Sequence, residues 1–298
     1  MTTPEAPFPA DDPRNDFLVA TTNRIREHIA AEEFIEAHQL CRQVMTVFAE
    51  DAKMIDLAQT IENDCLVSLS HKAFKGPRYT EWLQWLHRRI NPACYVEIGI
   101  AGGDTLVFPG PDTEVIGIDP AFTIATEIVA PTRLIRQESD RFFASDMAER
   151  LFARKKIDLA FIDGLHTFDQ ALRDFINVER NAAPGAVVAF HDIYPLAEIT
   201  ARRERVSRFW LGDTWKVIPI LRAYRPDLQV ITLPALPSGL ALVTGLDPAS
   251  SLLAELHDAI VAEFMPLHLD AIRHDQAKLM NLVENDFNVG ENFLAGRR

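Results

Sequence analysis

One stretch constrains this chain more than any other: Tyr95-Val-Glu97-Ile-Gly99-Ile-Ala-Gly102-Gly103, followed twenty residues after Gly99 by Asp119. Apolar residues run into an acid and then into glycines, and a helix is expected to open at Asp104-Thr105-Leu106. A second apolar run, Val115-Ile-Gly-Ile118, ends on Asp119. The pattern predicts a strand, a glycine turn that admits a ligand against the backbone, and a neighbouring strand whose terminal carboxylate can accept from a ribose diol. A tight turn without a ligand would account for Gly99 and Gly103, but not for Glu97 and Asp119 in register with them. The expectation is therefore an open α/β sheet around a nucleoside-containing cofactor.

Two cofactor classes share this layout, and glycine spacing separates them. Dinucleotide binders require G-x-G-x-x-G, so that a pyrophosphate reaches a helix N-terminus. Here Ala101 stands two residues after Gly99, and the middle glycine is missing. The pattern present is acid-x-G-x-x-x-G, from Glu97 through Gly99 to Gly103. It resembles the first motif of class I S-adenosylmethionine-dependent methyltransferases. That resemblance implies a turn at Gly99 and Gly103 facing the amino-acid part of S-adenosylmethionine, with Glu97 favouring its cationic groups and Asp119 its ribose.

Downstream, Ile157-Asp-Leu-Ala-Phe-Ile162-Asp163-Gly164-Leu-His166 leads into a helical stretch to about Arg180. Pro184-Gly185-Ala-Val-Val-Ala-Phe190-His191-Asp192 follows it. Both apolar runs read as central parallel strands covered on both faces. Ligands of such a sheet sit beyond the carboxyl ends of its strands, so Asp163, His166, His191 and Asp192 are expected to meet near the cofactor. Two carboxylates and two imidazoles at one rim suit a divalent metal. Mg²⁺ is the first choice because hard cations prefer oxygen, which favours Asp163 and Asp192. His191 as a third ligand leaves Mn²⁺, Fe²⁺ or another imidazole-tolerant ion open.

The pattern Phe-Ile-Asp163-Gly-x-His166, helix, Pro-Gly-x-Val-x-x-Phe-His191-Asp192 resembles bacterial class I enzymes that include macrolide- and aminocoumarin-sugar O-methyltransferases. More distantly it is similar to catechol O-methyltransferases. The resemblance implies a metal on Asp163 and on the pair His191–Asp192, and it places His166 where the catechol enzymes carry a lysine that deprotonates the acceptor. It departs at His191, where an acid is usual. The implied chemistry is metal-assisted methyl transfer to oxygen, with His166 as candidate base beside Asp163. Asp169 or Asp174 are candidates to orient that imidazole.

The remaining features set boundaries. Residues 1–14 are expected to be disordered and 15–70 to form a helical extension, with Phe34, Ala37, Leu40 and Val44 on one stripe. Part of it faintly resembles one tetratricopeptide-type helix pair, expected to act as a lid or dimer contact. The cofactor domain spans 71–247. There Trp82, Trp85 and Leu86 should face the core, while the resemblance brings Phe74 and Tyr79 close to the cofactor entrance. Arg133-Leu-Ile-Arg-Gln reads as the third strand, and Ser139 and Asp140 after it are either adenine contacts or a helix cap. A basic helix is expected around Ala201–Phe209. Its Arg202, Arg203, Arg205 and Arg208 either grip an anionic acceptor or pair with acids. Strands at Leu228–Leu233 and Gly239–Thr244 complete seven, the last antiparallel. A helical tail, 248–298, runs to about Val283 and is available for oligomer contacts.

A hydrophobic content of 48% is ample for a core in 298 residues, and no apolar stretch approaches the ~20 residues of a membrane span. A net charge of −13 argues against a nucleic-acid partner. Three cysteines, Cys41, Cys65 and Cys94, have no metal spacing, and with an N-terminus unlike a secretory signal they make a reducing cytoplasm the simplest expectation. The expected function is an S-adenosylmethionine-dependent O-methyltransferase, metal-assisted, acting on a small hydroxylated substrate such as a sugar, with a homo-oligomer open. A nicotinamide-dependent oxidoreductase and an inactive methyltransferase-like scaffold are the rivals.

Overall fold

The computed structural model describes residues 12–296 and divides into two units, Met1–Ala73 with Arg205–Trp210, and Phe74–Glu204 with Leu211–Arg298. The first is helical: α1 (Pro13–Ala30), α2 (Phe34–Val47) and α3 (Ala52–Ala73). Asp12 caps α1 by accepting from the Arg14 N–H, and Pro13 takes a first-turn position where no N–H is needed. The expected α2 stripe is buried at Ala37, Leu40 and Val44, against Ile25, Phe48 and Ala58. Expected disorder over 1–14 lies, up to residue 11, outside the described residues; Pro13 and Arg14 already belong to α1. The boundary expected at residue 70 falls inside α3.

The second unit runs α4 (Tyr79–Ile90), β1 (Cys94–Ile98), β2 (Glu114–Ile118), β3 (Thr132–Ile135), α5 (Ser139–Phe143), α6 (Asp146–Arg154), β4 (Ile157–Ile162), α7 (Phe168–Arg180), β5 (Ala182–His191), α8 (Val217–Tyr224), β6 (Gln229–Leu233) and β7 (Leu240–Thr244). The sheet order is β3-β2-β1-β4-β5-β7-β6. Strands β1 to β5 are parallel and β7 is antiparallel to both its neighbours. This is the Rossmann-like class I sheet anticipated from the sequence. Alternation along the strands sends Val96, Ile98, Ile116, Ala160, Ile162 and Phe190 to one face, with Leu172 and Phe175 of α7. Tyr95, Val115, Leu159, Phe161 and Ala189 face the other side, with Trp82, Leu83 and Leu86 of α4.

Three expectations fail for identifiable reasons. No helix follows the glycine turn: residues 99–113 form turns, because paired glycines and Pro109 and Pro111 oppose helix formation. No basic helix forms at 201–209. Arg42 Nη1 takes the Val206 carbonyl at 2.8 Å, Arg203 pairs with Asp169 at 2.7 Å and Arg208 with Asp56 at 2.6 Å, so the backbone follows its side-chain partners. The tail continues past Val283. After α9 (Leu252–Glu255), α10 (His257–Phe264), α11 (Leu269–Ile272) and α12 (Gln276–Leu279) comes α13 (Phe287–Ala295). Gly290 there lets α13 lie directly on α4, since a Cβ would come 2.5 Å from Trp82. Ile260, Leu269 and Met280 of the tail are buried in the same core as the sheet.

Candidate active site

Strands β1 and β4 are neighbours where the strand order reverses, so a ligand crevice opens beyond their carboxyl ends. Gly99 follows β1 with φ +85°, and a Cβ on it would lie 2.0 Å from the Asp163 carbonyl oxygen. The glycine is demanded by the approach of β4 as much as by the turn. Gly99 N donates to Ile118 O and Asp163 N to Ile98 O, both at 2.8 Å, which ties the three strand ends together. A cavity of about 590 Å³ lies against this rim, with Gly99, Asp119, Ser139, Asp140, Asp163 and His166 in its wall.

The cofactor residues expected from the sequence divide. Asp119 lines the cavity but first organises the turn: Oδ2 accepts from the N–H groups of Ile100 and Ala101 at 3.0 and 2.9 Å, and Oδ1 from Ala121 at 2.6 Å. Glu97 is 1% exposed and lies outside the cavity wall. Its oxygens accept from the Tyr95 hydroxyl at 2.6 Å and from the Thr105 hydroxyl. Burial pushes its carboxyl up to about 7, against the lowering effect of those two donors. Gly103, φ +82°, packs under Ile124 and Thr126 instead of facing the cavity. Ser139 and Asp140 open α5 and line the cavity at once. Ser139 Oγ donates to Asp174 at 2.5 Å, and Asp140 accepts from Arg173 at 3.0 Å. Gln170, which carried no sequence signal, donates to Ser139, Asp140 and Asp174.

The four chemistry-bearing residues meet as expected. Asp163 follows β4, His191 ends β5 and Asp192 comes next. His166 Nε2 is 3.4 Å from Asp163 Oδ1, and its Nδ1 is 3.1 Å from Asp192 Oδ2. His191 Nδ1 lies 3.2 Å from Asp163 Oδ2 and 3.6 Å from Asp192 Oδ1. Carboxylates and imidazoles thus alternate around a ring. The Asp163 and Asp192 carboxylates orient His166. Asp169 instead pairs with Arg203, and Asp174 accepts from Ser139 and Gln170. His166 and Asp192 adopt left-handed conformations, φ 60° and 56°; such strain costs about 1–3 kcal/mol per residue and gathers at functional sites.

Electrostatics follow from the ring. Burial works against charge on His191, yet the Asp192 and Asp163 carboxylates push its imidazole up to about 9. Burial likewise opposes a charged His166, and the Asp163 hydrogen bond with the Asp192 charge raises it nonetheless. Burial would lift Asp163, but the two imidazoles hold it well below the usual carboxylate range. The two carboxylates thus favour the charged form of both imidazoles.

The donor set fits a divalent metal. Among the described residues, Asp163, His191 and Asp192 are the one group of three or more such side chains offering ligand atoms within 4.8 Å of one another. His191 Nδ1 is buried and makes no well-formed hydrogen bond, while Ser238 Oγ holds its Nε2 at 3.1 Å. A ligating imidazole is commonly oriented in this way through its second nitrogen. Ser238 lies in a Pro-Ser-Gly turn and gave no sequence signal. Tyr79 packs against His191, ring centroids 4.1 Å apart and planes tilted by 32°. Phe74 is 3% exposed, belongs to the core and packs on Tyr194, so the pair expected at the cofactor entrance is split. No helix of the described residues is long and apolar enough to cross a membrane.

Residues 96–193, from within β1 to just beyond β5, match a family model described as a methyltransferase domain. No curated protein matches the chain. Among solved structures, it is similar to the O-methyltransferase TomG from Streptomyces achromogenes, involved in tomaymycin synthesis and in complex with S-adenosylmethionine. Identity is 15%, over 55% of this chain and 78% of that one, with a TM-score of 0.39. It is also similar to an O-methyltransferase from Bacillus cereus in complex with S-adenosylhomocysteine, at 14% identity over 69% and 96% of the two chains, TM-score 0.39. Residues 96–193 thus resemble a methyltransferase domain, and the sheet that holds them has the strand order of the Rossmann-like class I fold.

Proposed function

We propose that this protein transfers a methyl group from S-adenosylmethionine to a hydroxyl oxygen of a small acceptor, a sugar or glycosylated metabolite being the first choice. A divalent metal, Mg²⁺ before Mn²⁺, would be held by Asp163, His191 and Asp192. The observation that carries the reading is the ring of two carboxylates and two imidazoles at the rim of a cavity walled by Gly99 and Asp119. When bound, the cofactor supplies a sulfonium methyl, and the metal a Lewis acid that lowers the pKa of a hydroxyl. The chain's own groups do the rest. His166, in the cavity wall, accepts the hydroxyl proton at Nε2, while the Asp192 carboxylate, 3.1 Å from its Nδ1, stabilises the imidazolium that forms. Tyr79 packs against His191 and helps hold its ring in place. Glu97 supports the glycine turn from beneath through Thr105.

Isothermal titration of S-adenosylhomocysteine and of NADH into metal-stripped protein, repeated with Mg²⁺ and Mn²⁺, tests the reading. Saturable heat with S-adenosylhomocysteine, none with NADH, and a metal heat that disappears in Asp163→Asn are expected. Failure to bind S-adenosylhomocysteine would sink the methyl-transfer reading and favour a scaffold. Cofactor binding without any metal heat would remove the metal and leave His166 with Asp192 as the acid–base pair.

A further inference from the structure

We infer that the segment Gly212–Lys216 is a positioning clamp for His166, with Gly212 and Asp213 as its working residues; the inference rests on the role proposed above for His166. His166 joins β4 to α7 in a left-handed conformation, φ 60°, which a histidine keeps only where its surroundings impose it. Gly212 lies directly on it. A Cβ at Gly212, φ +68°, would come 1.8 Å from the His166 carbonyl oxygen and 2.8 Å from both its carbonyl carbon and its Cβ. Backbone meets backbone there, with no room for a side chain.

The next residue secures the same junction. Asp213 is 1% exposed, and its Oδ1 accepts from Phe168 N at 3.0 Å. That N–H belongs to the first turn of α7, where no intrahelical partner exists and Thr167 gives no side-chain cap. Asp213 Oδ2 is 3.2 Å from Lys216 Nζ. Lys216, also buried, donates to Met265 O at 3.1 Å and stands 4.9 Å over the Phe168 ring. Arg203 Nη1 completes the cluster, 3.7 Å from Asp213 and 2.7 Å from Asp169. Neither Gly212 nor Asp213 is in the wall of the cavity. A buried Asp–Lys pair is weak support for stability, because desolvation opposes its attraction, but it does select one geometry. The geometry selected here is that of the turn carrying His166, whose Nδ1 must stay within reach of Asp192.

Two variants of the full chain test the clamp. Gly212→Ala adds the colliding Cβ. Asp213→Asn is the milder change, keeping an oxygen for the Phe168 N–H while removing the charge that holds Lys216. Ring signals of ¹⁵N-histidine-labelled protein report on each imidazole, that of His166 being identified by its loss in His166→Gln. The expected result in Asp213→Asn is a shifted or split His166 signal with the signals of His38 and His87 unmoved. An unmoved His166 signal overturns the inference, and so does equal movement of all histidines, which would mean general loosening. A parallel titration with S-adenosylhomocysteine separates the two claims. A wild-type protein that binds none defeats the methyl-transfer reading, while the ring signals still decide whether the clamp exists.

Discussion

Replacing Gly99 by alanine asks whether the turn is glycine because the neighbouring strand leaves no room. The new Cβ would lie 2.0 Å from the Asp163 carbonyl oxygen, 2.5 Å from its carbon and 2.9 Å from the Gly164 Cα. All three are backbone atoms, so no side-chain rotation relieves the overlap. Two costs combine. A left-handed conformation is unfavourable for an L-residue by about 1–2 kcal/mol, and overpacking a close-packed interior costs about 1–3 kcal/mol. The total, ~2–5 kcal/mol, is a large part of the roughly 5–15 kcal/mol that stabilises a domain. At about 2–4 °C per kcal/mol for a unit of this size, its melting transition should fall by ~4–20 °C. Relief requires Asp163 to move away from Gly99, which strains the 2.8 Å bond from Asp163 N to Ile98 O and draws the carboxylate out of the ring. The assay is scanning calorimetry of Gly99→Ala, with Mn²⁺ and S-adenosylhomocysteine titrations at a temperature where circular dichroism shows the fold intact. Lower melting together with weaker binding of both ligands is expected. A variant that melts like wild type and binds both equally well would refute the close-approach argument.

Glu97 gives a pH signature. Its folded carboxyl, at about 7 against an ordinary 4.5, keeps a proton that the unfolded chain releases. The stability this contributes is full below about 4.5 and is lost as pH rises through about 7, roughly 3 kcal/mol in all. Glu97→Gln should therefore show a urea midpoint that changes less between pH 5 and 8 than wild type; parallel curves would contradict the assignment. Ser238→Ala should raise the Mn²⁺ Kd about 10–100-fold by freeing His191 Nε2, with S-adenosylhomocysteine affinity unchanged. Equal loss of both affinities would show that the serine only holds the loop together.

What the sequence revealed, and what it hid, follows from the range of each interaction. The central parallel strands and the meeting of Asp163, His166, His191 and Asp192 were legible because they depend on apolar runs that end in polar residues, and parallel strands bring such ends to one rim. Glu97 was misplaced because an acid two residues before a glycine reads the same whether it points at a ligand or, as here, at the Tyr95 and Thr105 hydroxyls beneath it. Ser238 and Gln170 were invisible because Ser238 meets His191 across 47 residues and Gln170 meets Asp140 and Ser139 across 30 and 31. The arginines around 201–209 were read as a helix from charge pattern alone. Their carboxylate partners Asp56 and Asp169 come from distant parts of the chain and decide the backbone instead.

Asp163 is where fold and chemistry become one constraint. Its carbonyl fixes the identity of Gly99, its N–H closes the β1–β4 junction, and its two carboxylate oxygens meet two different imidazoles. A residue so tied cannot move to suit a ligand; the ligand must suit it. The partners on the other side of the ring are arranged to match. His191, oriented by Ser238 and flanked by Tyr79, is drawn toward its charged form by the Asp192 and Asp163 carboxylates and so offsets part of their negative charge. A divalent cation in the same place would take over that role and leave His191 neutral and ligating. The histidine that departs from the expected acid thus has a physical reason: an imidazole there offsets the carboxylates when protonated and can ligate when neutral.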